Sequence, residues 1–249
     1  AILPPAAEAL LPYVRSAADI YAGVSGFSLI GIILMLRMRG RIRKALEDTD
    51  QVLMRRPTLA EVRGNFRQRP VLMLLAAIFF LYLVHATMFC FLKNLVLQTG
   101  VGHVGAFFGL SMVTIILVRL LGGAFFDRIN KARLLLAALL ALTIGLALLP
   151  DVKTPAVFYL LAVVYGGGIG VAFPLFTALL FVASVPGFRG LNTNMTLFVM
   201  DAGYFITPYV GGMLIALGAG FDVLFDIAAG FTILSVFFLI ALRQERNDR

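Results

Sequence analysis

Tyr82, His85, Phe89 and Lys93 follow one another by steps of three and four residues, so on a helix they line a single face. An imidazole titrates near neutral pH, and one set among aromatic rings inside an apolar run could relay protons. The same histidine could instead hold two helices together by a hydrogen bond, and the sequence leaves both readings open. Arg119 and Asp201 are two further charges that stand alone in apolar surroundings. An isolated charge at membrane depth costs at least a few kcal/mol, so each needs a partner or water. We expect the two to approach one another, either as an ion pair fastening two helices or as a proton or substrate site.

Enzyme chemistry has no comparable foothold. The chain contains no H-E-x-x-H and no G-x-x-x-x-G-K-[ST], and Gly26-Phe27-Ser28 lacks the second glycine of a nucleophile elbow. Cys90 is the only cysteine and lies in an apolar run, which excludes an intrachain disulfide and a paired-cysteine metal pattern. We read the chain as a non-enzyme that needs no cofactor or metal. His103 falls in a predicted loop.

The elements that would position these residues are set by composition. Of 249 residues, 61% are hydrophobic and 14% charged, and the mean hydropathy is +0.97. This lies outside the range of water-soluble domains and predicts an all-α integral membrane protein. The net charge of +8 would suit nucleic acid, but the placement of the charges explains it otherwise. Ten of the 21 Lys and Arg residues lie between Arg37 and Arg69, three between Arg128 and Arg133, one at Arg189 and three between Arg243 and Arg249; Arg15, Lys93 and Lys153 lie on the opposite side. Basic residues gathered on alternate loops follow the positive-inside rule, which puts those loops and the C-terminus in the cytoplasm and leaves no role for nucleic acid.

Apolar runs of spanning length are predicted over Ala18–Leu36, Val71–Val96, Val104–Phe126, Leu134–Leu149, Ala156–Val182, Asn194–Leu217 and Val223–Leu242. Leu134–Leu149 is short and can borrow residues from its flanking loops. A basic linker, 37–69, separates the first run from the rest. Within it, Thr58 and Glu61 form a capping box after Pro57, predicting a short helix that carries Leu59, Val62 and Phe66 on one face with Arg63 and Arg67 beside them. That helix either rests on an anionic membrane surface or belongs to a solvated linker. Thr154 and Pro155 read as a cap and first turn, and Asn192 or Asn194 as another cap. Gly166 and Gly170 strip side chains from one helix, and Pro174 and Pro208 each delete a backbone hydrogen bond, so these helices can pack closely and bend.

A charged turn joins the second and third of the six later runs. It reads Gly123-x-x-x-Asp127-Arg128, followed by Lys131 and Arg133. This pattern resembles the loop signature of the major facilitator superfamily of secondary transporters. Asn130 stands where that family usually has glycine, and Ala132 where it has a second basic residue; we expect Asn130 to keep the turn by adopting left-handed backbone. Tyr165-Gly-Gly-Gly-Ile-Gly170 with Pro174, Pro186 with Arg189-Gly190, and Asp201-Ala-Gly-Tyr204 with Pro208 and Gly211-Gly212 are similar to the tenth and eleventh helices of the family.

The resemblance implies a C-terminal six-helix bundle of such a transporter, residues 70–249, preceded by one transmembrane helix. Residues 1–36 would then be the end of the N-terminal half and 37–69 the linker. Gly26-Phe27-Ser28-Leu29-Ile30 and Gly230-Phe231-Thr232-Ile233-Leu234, 204 residues apart, fit two parallel repeats. The repeat implies roughly 130 further residues in a twelve-helix parent of about 400. The resemblance also implies a substrate path past Tyr165, Phe173 and Thr177, and gating by Gly123, Asp127, Arg128, Lys131 and Arg133. Gly166, Gly170, Pro174 and Pro208 would serve as hinge positions in a rocking motion. The expected function is alternating-access transport of a small solute across a bacterial cytoplasmic membrane. Proton-coupled efflux of a sugar or drug-like solute leads, with uptake by proton symport, or a non-transporting sensor or assembly partner, as alternatives. Membrane lipids and the missing half of the same chain are the expected macromolecular surroundings, with a second copy of this chain in place of that half if only this portion is present.

Overall fold

The computed structural model describes residues 17–47, 58–128 and 130–247. It forms two units, 2–58 and 59–249. Apart from Thr58, the described part of the first is a single helix, α1 (Ala17–Glu47), 31 residues long. Its apolar stretch ends at Leu36 as expected, but the helix runs on through Arg37, Arg39, Arg41 and Arg43. Arg, Lys, Met and Leu are all good helix formers, so the end of a hydrophobic run is not the end of a helix.

The second unit opens with α2 (Leu59–Phe66), which starts directly after Thr58 and carries Glu61 in its first turn. Then come α3 (Arg69–Thr99), α4 (Val104–Arg128), α5 (Lys131–Leu148), α6 (Pro155–Ala183), α7 (Arg189–Ala216) and α8 (Phe221–Asn247). Among the described residues, six helices are long and apolar enough to cross a membrane, and they correspond to the six runs predicted after the linker. The short run gains Lys131 to Arg133 at its start and a 3₁₀ turn, Leu149–Asp151, at its end.

Local chemistry explains most boundaries. Pro70 sits in the first turn of α3, where its missing N–H costs nothing, and Gly100 ends that helix at φ 68°, its N–H donating to the Val96 carbonyl. Asn130 departs from expectation: its backbone is extended, φ −62° and ψ 107°. Rather than turning left-handed, it is the N-cap of α5, and its side-chain oxygen accepts from the N–H groups of Ala132 and Arg133 at 3.1 and 3.3 Å. Thr154 is at the N-cap position of α6 without a side-chain capping bond. Neither Asn192 nor Asn194 caps α7, because a 3₁₀ turn, Pro186–Phe188, lets that helix begin earlier, at Arg189.

In the packing, α3 lies against α7 and α8, α6 against α4 and α5, and α8 against α5. Phe107, Phe176 and Phe225 are among the largest fully buried side chains. Glycines of α6 set the spacing on two sides. A methyl group on Gly166 would collide with the Ser111 backbone of α4, and one on Gly168 with Leu142 of α5. Ser111 Oγ sits in the first contact, donating within hydrogen-bond distance of the carbonyls of Phe107, at 2.8 Å, and Ala162, at 3.0 Å. On the other side, Ser235 Oγ of α8 reaches the Ala77 carbonyl of α3 at 3.0 Å. Such hydroxyl contacts fix helix register in a medium that offers no competing water.

Candidate functional site

The predicted stripe on α3 meets α6 and α7 in one aromatic cluster. His85 Nδ1 and Tyr165 Oη are 2.5 Å apart, a hydrogen bond from α3 to α6. Around the imidazole lie Phe89 at 5.6 Å, Phe173 at 5.7 Å and Tyr204 of α7 at 6.1 Å between ring centroids. All three rings meet it steeply, at 64 to 85°, the edge-to-face geometry that aromatic quadrupoles favour. Tyr82 packs on Phe173 at 4.6 Å, and Phe89 on Phe108 of α4 at 4.9 Å. Four helices thus contribute to one cluster.

Backbone detail brings α7 in. Gly203 lies so near Tyr82 that a Cβ there would sit 3.2 Å from the Tyr82 Cβ. This close approach sets Tyr204, the next residue, against His85 and Phe89. Tyr165 is buried, while Phe89 remains 48% exposed. The cluster therefore has a packed floor and an open side. It offers ring faces and edges, together with an imidazole and three phenols, and none of the residues named here is a carboxylate or an amide. That surface suits an apolar or aromatic solute with few polar groups better than one that must be hydrogen-bonded on all sides.

Other predicted residues are placed differently. Lys93 is exposed, two turns beyond His85, about 12 Å along α3 at 1.5 Å per residue. Thr177 is exposed, and its hydroxyl donates to the Phe173 carbonyl of its own helix. It takes no part in the cluster. Arg119 and Asp201, expected to approach one another, form no ion pair among the described residues. Both are exposed, on helices that pack elsewhere, α4 on α6 and α7 on α3.

The α4–α5 connection carries the charged turn. Lys131 and Arg133 are exposed in the first turn of α5; the side chains of Asp127 and Arg128, and the surroundings of Gly123, lie outside the described residues. Gly170 faces α4, where a Cβ would lie 3.3 Å from Ile115 Cα and Val118 Cγ1. Pro174 and Pro208 are both accommodated inside continuous helices.

Tyr204 and Phe108 were not among the residues expected in the site. Tyr204 carried a usable signal, since it follows Gly203, the glycine through which α7 meets α3. Phe108 had none: it is one phenylalanine among 22, and only the α4–α6 packing turns it toward Phe89.

Six apolar spanning helices with a polar and aromatic cluster opening between them define a multi-pass α-helical membrane protein of the transporter class. The family model described as Major Facilitator Superfamily matches residues 1–195, and the chain belongs to that superfamily of secondary transporters. No curated protein and no solved structure matches it.

Proposed function

We propose that this chain carries a small aromatic or drug-like solute out of a bacterial cell by alternating access, with proton uptake as the driving exchange. The observation that carries the reading is the His85–Tyr165 pair set among Phe89, Phe173, Tyr82 and Tyr204. A titratable group within a ring-lined, partly open cluster allows solute and proton to compete for one place. Efflux is favoured over uptake by the resemblance of the loop and glycine-helix motifs to efflux members of the family. The open side of the cluster is completed by a facing six-helix half, from the same polypeptide or from a second copy. Gly123, Asp127, Arg128, Lys131 and Arg133 gate the linker side of the bundle, and Pro174 and Pro208 let α6 and α7 bend as the halves rock.

The test uses the full-length protein in liposomes loaded with a pH-sensitive dye. Ethidium, tetraphenylphosphonium and lactose are added in turn. Proton movement that depends on ethidium or tetraphenylphosphonium supports drug-like exchange, and a response to lactose alone moves the reading to sugars. No response to any of these, in liposomes that hold a pH gradient, contradicts coupled transport of these classes.

A further inference from the structure

The linker helix α2 is largely exposed. Leu59 is 89% exposed, and Ala60, Glu61, Arg63 and Gly64 are exposed as well, leaving Val62 and Phe66 half-buried and Asn65 as the one buried side chain of the helix. Asn65 Nδ2 donates to Asn192 Oδ1 at 2.7 Å. Asn192 Nδ2 lies 3.3 Å from Asn65 Oδ1 in return and donates to Ser184 Oγ at 2.7 Å. Ser184 Oγ in turn donates to the Leu180 carbonyl at 2.6 Å. Asn65 and Asn192 are each 1% exposed and Ser184 is 3% exposed.

These three residues belong to three segments. Asn65 is on the linker helix, Ser184 is the C-cap of α6, and Asn192 lies in the first turn of α7. Between the last two run the 3₁₀ turn and Arg189, whose guanidinium covers the Phe181 ring at 4.3 Å. One polar cluster therefore fastens the linker to the joint between the two helices that carry Pro174 and Pro208.

We propose that Asn65, Asn192 and Ser184 form a latch, shut in this conformation, that releases α2 when the linker-side ends of α6 and α7 move apart. The inference rests on the alternating-access reading above. Two arguments support release over permanent fastening. A reciprocal amide pair is directional and is lost within a fraction of an ångström of separation, and once parted both amides bond to water with little net loss. Apolar side chains of similar size would fasten the helix without that sensitivity, and replacing both partners of a buried polar pair by apolar groups is often nearly neutral for stability. Asn192 also lies at the end of α7 remote from Pro208, where bending at that proline produces its largest displacement.

The test is a spin-label distance measurement on the full-length protein in lipid nanodiscs, with Cys90→Ser as background and labels at Leu59→Cys and Asn194→Cys. Both label sites are exposed and neither belongs to the latch. The wild-type pair is expected to show a shorter and a longer distance in exchange. Asn65→Ala, which deletes both contacts of the amide pair, should raise the longer population at least about fivefold, the effect of one net hydrogen bond. Asn65→Leu combined with Asn192→Leu should leave the shorter distance alone. A single wild-type distance would make the cluster a static fastener, and an unchanged distribution in Asn65→Ala would mean that it holds nothing; either result overturns the latch. Two interconverting distances without solute-linked proton movement would instead leave the latch standing and remove the transport reading.

Discussion

His85 on α3 and Tyr165 on α6 are joined across 80 residues of sequence by one short hydrogen bond, and that bond is the polar centre of a cluster otherwise made of ring surfaces. Removing one partner leaves the other buried and unsatisfied, which costs about 1–3 kcal/mol, whereas removing both is close to neutral. Tyr165→Phe should therefore lower thermal stability in detergent, and His85→Phe combined with Tyr165→Phe should recover most of the loss. Equal and additive losses in the two single variants would show that the pair is not a coupled unit.

At Gly166 α6 lies close against α4, with the Ser111 backbone where a side chain would go. Backbone cannot swing aside as a long side chain can. Gly166→Ala should destabilise the bundle by about 1–3 kcal/mol, the range for overpacked interiors. Gly167→Ala, where the nearest atom to a new Cβ is Thr114 Cγ2 at 4.0 Å, is the control and should be well tolerated. Thermal unfolding followed by size-exclusion chromatography compares the two.

Asn130 holds the start of α5 by accepting two backbone N–H groups. Asn130→Ala should cost about 1 kcal/mol, while Asn130→Gly and Asn130→Asp should cost only a few tenths. If Gly were tolerated no better than Ala, the capping role would be wrong. The same melting assay applies, with amide exchange at Ala132 and Arg133 as the local readout.

Arg119 and Asp201 are exposed on helices that pack against different neighbours. Their substitutions should behave independently. Arg119→Gln and Asp201→Asn should add within about 0.5 kcal/mol in the double variant. A larger coupling would place them in contact in the assembled protein.

Much of this arrangement was legible in the sequence, because membrane helices announce themselves by length and apolarity. The six later spans, the start of α2 after Thr58 and the glycine contacts of α6 all follow from local pattern. The stripe of Tyr82, His85 and Phe89 was visible for the same reason, being a property of one helix. What could not be read were relationships between helices. Nothing near Arg119 says that α4 turns toward α6 rather than α7, so two isolated charges looked like a pair. Asn192 looked like a cap because asparagines near a helix start commonly are; the earlier start at Arg189 left it free to meet Asn65, 127 residues away in sequence. Asn130 was correctly placed in the turn but given the wrong backbone, since a capping asparagine and a left-handed one look alike in sequence.

The most direct measurement compares wild type with His85→Gln in dye-loaded liposomes, recording lumenal pH after ethidium is added to full-length protein. Glutamine keeps a hydrogen-bonding group facing Tyr165 but cannot titrate. Ethidium-dependent proton movement in the wild type, reduced at least about tenfold in a folded His85→Gln protein, a rise of about 1.4 kcal/mol in the barrier, is the expected result. Proton movement at the wild-type rate in His85→Gln would contradict the assignment of this cluster as the coupling site.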